Sequence, residues 1–128
     1  MGQYLTKIER EFINQCLVNN SALKRILDVG GGSGRHAVPV YKMGYKVIVT
    51  EVNPVPLRKL QEKEQNIPSI LVGTDANLFP FKDSSFDCVL CIQINPLVEG
   101  TDWSECSRVL RNGGIVIFVT SNKTPTRL

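Results

Sequence analysis

The chain alternates stretches of helical periodicity with short apolar runs. Leu5, Ile8, Phe12 and Cys16 recur at the spacing of one helix face, with Leu17 beside the last. That spacing predicts an amphipathic helix from Tyr4 to Val18, closed by Asn19, Asn20 and Ser21. Arg25 to Leu27 and Val29 read as a buried strand, with Asp28 set into the apolar run. A helix over Arg35 to Met43 follows; Pro39 lies inside it, and its missing N–H should weaken or kink the first turns. Tyr45 to Thr50 is a β-branched second strand that ends at Glu51. Pro56 to Gln65 reads as a helix with Leu57 and Leu60 turned inward and its charges forming a solvated face. Ser69 to Val72 is a short third strand and Phe86 to Ile92 a fourth. Trp103, Cys106 and Leu110 share a helical face, and Ile115 to Val119 is a fifth, wholly apolar strand.

The most informative stretch joins the first strand to the next helix. It reads Asp28-x-Gly30-x-Gly32-x-Gly34. Glycine lets the backbone bend sharply and lets a ligand lie against main-chain N–H groups. The helix start adds free donors and a positive dipole end. A dinucleotide fingerprint would need G-x-G-x-x-G. From Gly30 and Gly32 the third glycine falls on Arg35, and from Gly31 the second falls on Ser33, so that spacing fails in both registers. Glu51 stands at the end of the second strand, where nucleoside-binding α/β proteins place an acid that accepts from the ribose hydroxyls. A carboxylate can accept from both at once; a solvated strand-end glutamate is the alternative.

Four segments then occur in order: the glycine turn, Glu51-Val-Asn-Pro54, Gly73 to Asp87, and Arg108-Val-Leu-Arg-Asn-Gly-Gly114. Together they resemble the motifs of the class I S-adenosylmethionine-dependent methyltransferases, of the small UbiE/type 11-like group, over roughly Leu23 to Thr120. Two departures stand out. Phe79 is an extra residue before Pro80, and Asn112 replaces a proline; Asn112-Gly113 suits a helix stop in left-handed geometry. The resemblance implies an α/β, Rossmann-like three-layer sandwich with a mainly parallel sheet in the order 3-2-1-4-5, without the usual sixth and seventh strands. It implies one domain over residues 1–128, with an N-terminal helix over 1–20 and a core over 23–120.

By the same resemblance the cofactor is S-adenosyl-L-methionine, leaving as S-adenosyl-L-homocysteine. Asp28, Gly30, Gly31, Gly32 and Gly34 would hold its methionine end, and Glu51 with Val52 the ribose. The Asp75 carboxylate and the Ala76 N–H would meet the adenine, which offers a donor and an acceptor side by side. Cys91, Ile92 and Gln93 would border the site from the end of the fourth strand. No residue is assigned as a catalytic base. Ile94-Asn-Pro-Leu97 falls short of the Asn/Asp-Pro-Pro-aromatic motif of amino-group methyltransferases and reads as a turn.

Composition narrows the picture little. The chain has 128 residues, 42% hydrophobic and 21% charged, ordinary for a single soluble domain. Its net charge of +3 permits an acidic partner, but no stripe of Lys and Arg points to nucleic acid. No apolar run approaches a membrane span, and Glu9, Arg10 and Glu11 do not suit a secretory signal. Cys88 and Cys91 form a C-x-x-C, but inside a strand, where residues three apart point to opposite faces. With Cys16 and Cys106 they read as reduced thiols of a cytoplasmic protein rather than a metal site. His36, the single histidine, either packs or approaches a ligand one turn past the cradle.

Two functional classes are therefore expected. One is a methyltransferase acting on an unidentified acceptor. The other is a non-catalytic or partner-dependent S-adenosylmethionine-binding module with an incomplete substrate site. Ile115 to Val119 would form an exposed apolar edge, a template for pairing with a second copy, a partner chain or a further part of the gene product.

Overall fold

The structure, a computed structural model, describes residues 2–72, 79–93 and 103–119. Helix α1 (Gly2–Val18) leads into strand β1 (Arg25–Val29), helix α2 (Ala37–Lys42), strand β2 (Lys46–Glu51) and helix α3 (Pro54–Lys63). Strands β3 (Ser69–Leu71) and β4 (Phe86–Ile92), helix α4 (Trp103–Val109) and strand β5 (Leu110–Val119) follow. The strands form one sheet in the order β3-β2-β1-β4-β5, with every neighbouring pair parallel. This is the order the resemblance implies. The winding reverses between β1 and β4, and the crevice outside their carboxyl ends is where such sheets bind ligands.

Alternate strand residues feed two cores. On one face Ile26, Val49, Leu90 and Ile117 pack with Ile13 and Leu17 of α1, Val40 of α2 and Leu60 of α3. On the other, Leu27, Val29, Val89 and Cys91 pack with Cys106 and Val109 of α4. Cys88 belongs to the first core and Cys91 to the second, so the C-x-x-C pair straddles the sheet. Among the described residues no helix is long and apolar enough to cross a membrane.

Several elements depart from the expected bounds. Regular helix α2 begins at Ala37, not Arg35. Pro39 has no N–H for the Arg35 carbonyl, and the later start places it in the first turn, where that loss is tolerated. Helix α3 starts earlier than expected, because Asn53 Oδ1 caps it by accepting from Val55 N at 3.0 Å and Pro54 suits the first helical position. The Asn112-Gly113 pair does not stop α4. That helix ends at Val109, and Gly113, with φ +82°, sits where β5 shifts register against β4.

Helix α1 is rotated by one residue from the predicted face. Glu9, Ile13 and Leu17 are buried, whereas Ile8 and Phe12 are 44% and 45% exposed. A carboxylate goes inward where an isoleucine was expected.

At the opposite end of the sheet Asp87 ties three segments together. Its Oδ2 accepts from the N–H groups of Lys24 and Arg25, both at 2.8 Å, and its Oδ1 from Arg111 Nε. Burial works against its charge, but these donors outweigh it and hold the carboxyl below the usual range.

Candidate functional site

The glycine turn lies at the carboxyl end of β1. Gly30, Gly32 and Gly34 all have positive φ, at 67°, 60° and 90°, which explains their alternate spacing. Gly31 is required for a different reason: a Cβ there would stand 2.6 Å from Asp28 Oδ2.

The turn does not offer N–H donors as its glycines suggest. Gly30 N and Gly31 N donate to Thr50 O at 2.8 and 3.1 Å, and Gly34 N to Gly31 O at 3.1 Å. Gly32 N donates to Glu51 Oε1 at 2.8 Å. With a helix α2 of only six residues behind it, this is a poor cradle for phosphate. What the turn presents is space and acceptors.

Asp28 is the strongest of these. It is 2% exposed, and its Oδ2 has no hydrogen-bond partner among the described residues. Burial first, then the neighbouring Glu51, raises its pKa to about 7 against the pull of Arg35. A cationic ligand donor above it would satisfy the orphaned oxygen and favour its charged form.

Glu51 ends β2 beside the turn and is 9% exposed. Besides Gly32 N it accepts, through Oε2, from Val52 N and Asn53 N, both at 3.0 Å. Three of its roughly four acceptor positions are thus engaged. A ribose that used both oxygens would have to share or displace one of these bonds.

The remaining predicted residues are placed unevenly. Asp75 and Ala76 lie outside the described residues, as does the Asn95-Pro96 turn. The flanking loop at 79–83 is described, and side chains of α4 hold it. Phe79 N donates to Glu105 Oε1 at 2.7 Å, and Arg108 donates to Phe79 O and Phe81 O at 2.9 and 2.8 Å. Thus Arg108, from the last of the four motifs, fastens the third. Cys91 and Ile92 are buried in opposite cores, so only their backbone can face a ligand. Gln93, next along, is exposed and has a φ of +59°.

Glu9 escaped the sequence reading as a site residue. Its Oε1 lies 2.9 Å from His36 Nε2, its Oε2 accepts from Gln93 Nε2 at 2.6 Å, and Arg35 stands 3.8 Å away. The signal was present: Glu9 lies on one helical stripe with Ile13 and Leu17. His36 is buried, and burial followed by the Arg35 charge lowers its pKa despite the Glu9 bond, leaving a neutral ring. Its Nε2 then donates to Glu9, and Nδ1 is a buried acceptor without a partner among the described residues.

A family model described as a methyltransferase domain matches residues 27–118. A ubiquinone biosynthesis O-methyltransferase of Mesorhizobium japonicum is 30% identical over 105 residues, covering 78% of this chain and 42% of that protein. An uncharacterized methyltransferase of Bacillus subtilis is 33% identical over 97 residues, covering 73% of this chain and again 42% of the relative. The chain thus spans less than half the length of these curated relatives. In fold it is similar to the PH0226 protein of Pyrococcus horikoshii, with TM-score 0.71 and 23% identity over 89% of this chain and 53% of that one. A calicheamicin-pathway aminopentose methyltransferase of Micromonospora echinaspora, solved with S-adenosylmethionine bound, superposes with TM-score 0.53 and 18% identity, over 67% of this chain and 35% of that one. These relationships indicate S-adenosyl-L-methionine as the cofactor. A turn whose glycine N–H groups are engaged, over an Asp28 Oδ2 with no partner among the described residues, fits its cationic methionine end. The chain belongs to the methyltransferase domain family.

Proposed function

We propose that this protein transfers a methyl group from S-adenosyl-L-methionine to an acceptor bound at the carboxyl end of the sheet. The observation that carries this reading is the buried Asp28 carboxyl, whose Oδ2 has no partner among the described residues, beneath a turn whose glycine N–H groups are already engaged. Such a pair suits an ammonium or sulfonium cation far better than a phosphate. When bound, the cofactor supplies a methyl group already activated on a good leaving group.

The chain's own contribution is then mainly orientation. Asp28 and the glycine turn hold the methionine end, and Glu51 with the Val52 segment holds the ribose. Asp75 and Ala76 take the adenine edge, while Gln93 and the backbone at Cys91 and Ile92 form the far wall. Because the Mesorhizobium relative is an O-methyltransferase by name, a hydroxyl oxygen is the first acceptor atom to try.

Calorimetric titration with S-adenosylhomocysteine tests the cofactor reading, with Asp75→Ala as the paired variant. Saturable binding that the variant loses supports it. A folded chain that binds nothing sinks it. Transfer of label from S-adenosylmethionine to simple hydroxyl acceptors then tests the activity.

The second reading, a module that needs another chain, draws on the edge of the sheet. Among the described residues β5 pairs only with β4. Phe118 is 37% exposed on it, and a groove of about 440 Å³ runs between Val119, Phe118, Ile8 and Phe12. We propose that Ile115–Val119 pairs with a second copy or a partner strand. A concentration-independent monomer in sedimentation rules out the second copy.

A further inference from the structure

We propose that Glu9 is a positioning residue for the cofactor site, clamping the start of α2 to the end of β4 from helix α1. The proposal rests on the cofactor reading above. Three observations carry it.

First, Glu9 is 3% exposed on a helix whose neighbouring apolar residues, Ile8 and Phe12, lie half in solvent. Burying a carboxylate while exposing those two is costly unless its bonds are worth making. Second, its two oxygens serve different walls of one crevice. Oε1 takes His36 Nε2 at 2.9 Å, immediately after the glycine turn. Oε2 takes Gln93 Nε2 at 2.6 Å, at the carboxyl end of β4. Those ends flank the point where the sheet's winding reverses. Third, Gln93 holds a left-handed backbone, φ +59°, which an unbranched L-residue adopts only at some cost. Its N–H donates to Val119 O at 2.5 Å, and the Glu9 carboxylate holds its side chain. Glu9 thus sets the distance between the turn and the far wall. No residue of α1 needs to touch the ligand for this to matter.

The test is calorimetric titration of S-adenosylhomocysteine into wild type, Glu9→Gln, Gln93→Asn and the double variant, with a melting temperature for each. Asparagine tolerates the backbone at 93 but falls a methylene short of Glu9. Each single change is expected to weaken binding by about tenfold or more, the scale of a lost charge-assisted bond. The double is expected to lose no more than the worse single, because the contact that Gln93→Asn removes is one of the two that Glu9→Gln already disturbs. Gln93→Asn is expected to lower the melting temperature, because it leaves the buried Glu9 Oε2 without its donor. Binding measured well below that temperature, with the chain folded, is still expected to be weakened; full affinity in the folded variant overturns the proposal.

Failure of wild type to bind overturns the cofactor reading itself. Wild-type binding with Glu9→Gln unaffected overturns this proposal and leaves that reading standing. Losses that multiply in the double variant also overturn it. If Glu9→Gln does not fold, amide hydrogen exchange of Gln93→Asn decides. Ligand-induced slowing within residues 8–13 is expected in wild type and is expected to vanish in the variant; its persistence overturns the proposal.

Discussion

Gly31 lies directly against Asp28: a Cβ at position 31 would stand 2.6 Å from Oδ2 and 2.9 Å from Val49 Cγ1. Neither neighbour can withdraw easily, because Asp28 is 2% and Val49 0% exposed. Gly31→Ala is therefore expected to destabilise the fold by about 1–3 kcal/mol, the usual cost of overpacking. A lower urea midpoint with an unchanged slope would show it. The same variant should weaken S-adenosylhomocysteine binding by pushing the turn off Asp28.

Asp28 gives stability an unusual pH dependence. Its folded-state pKa is raised from 3.8 to about 7. Between those values the folded chain keeps a proton that the unfolded chain has released. Its contribution is thus full below 3.8 and is lost as pH rises through about 7. Asp28→Asn is expected to flatten that slope and to be more stable than wild type above about 7. Urea titrations on both sides of that value check it.

The ligand side of the same group runs oppositely. A cationic methionine end favours the ionised carboxylate, so affinity for S-adenosylhomocysteine is expected to rise with pH toward about 7. Below that value binding should release a proton. Calorimetry in buffers of different ionisation enthalpy measures the release directly. Asp28→Asn should abolish it and bind more weakly, trading function for stability.

Asp87 makes the contrasting prediction at the far end of the sheet. Its depressed pKa contributes stability that is present above 3.8 and lost as pH falls through the lower folded-state value. Asp87→Ala is expected to cost about 1.5–3 kcal/mol, the range for bonds to a charged group. It should leave ligand binding unchanged, since its partners Lys24, Arg25 and Arg111 all lie away from the crevice.

The thiols offer a simple check on the two cores. Cys88, Cys91 and Cys106 are fully buried and Cys16 is half-buried. Burial pushes the Cys88 thiol up to about 12. In Cys91, contact with Cys106 followed by burial pushes it higher still. A thiol reagent at neutral pH is expected to modify at most Cys16 in the native state and the other three only on unfolding. Rapid native-state reaction of more than one thiol per chain contradicts the packing.

Much of this fold was legible because short-range chemistry determines it. The β-branched run before Glu51, the apolar run of β4 and the alternate glycines after Asp28 each settle a local structure without help. The motif order implied the strand order, and the sheet has it. What the sequence alone left wrong is physically consistent. Helix periodicity locates a stripe only to within a residue, so Ile8 and Phe12 looked buried and Glu9 did not. Only the arrival of His36 and Gln93, distant in sequence, makes a buried carboxylate affordable there. The glycine turn likewise looked like a set of free N–H donors. Its real character, with an Asp28 Oδ2 left without a partner among the described residues, depends on Thr50 and Glu51 of the neighbouring strand having taken the donors of Gly30, Gly31 and Gly32. Residue types and spacing determined which segments form the crevice; tertiary contacts decided which of their polar groups remain to meet a ligand, because each hydrogen bond spent inside the fold is one withdrawn from the site.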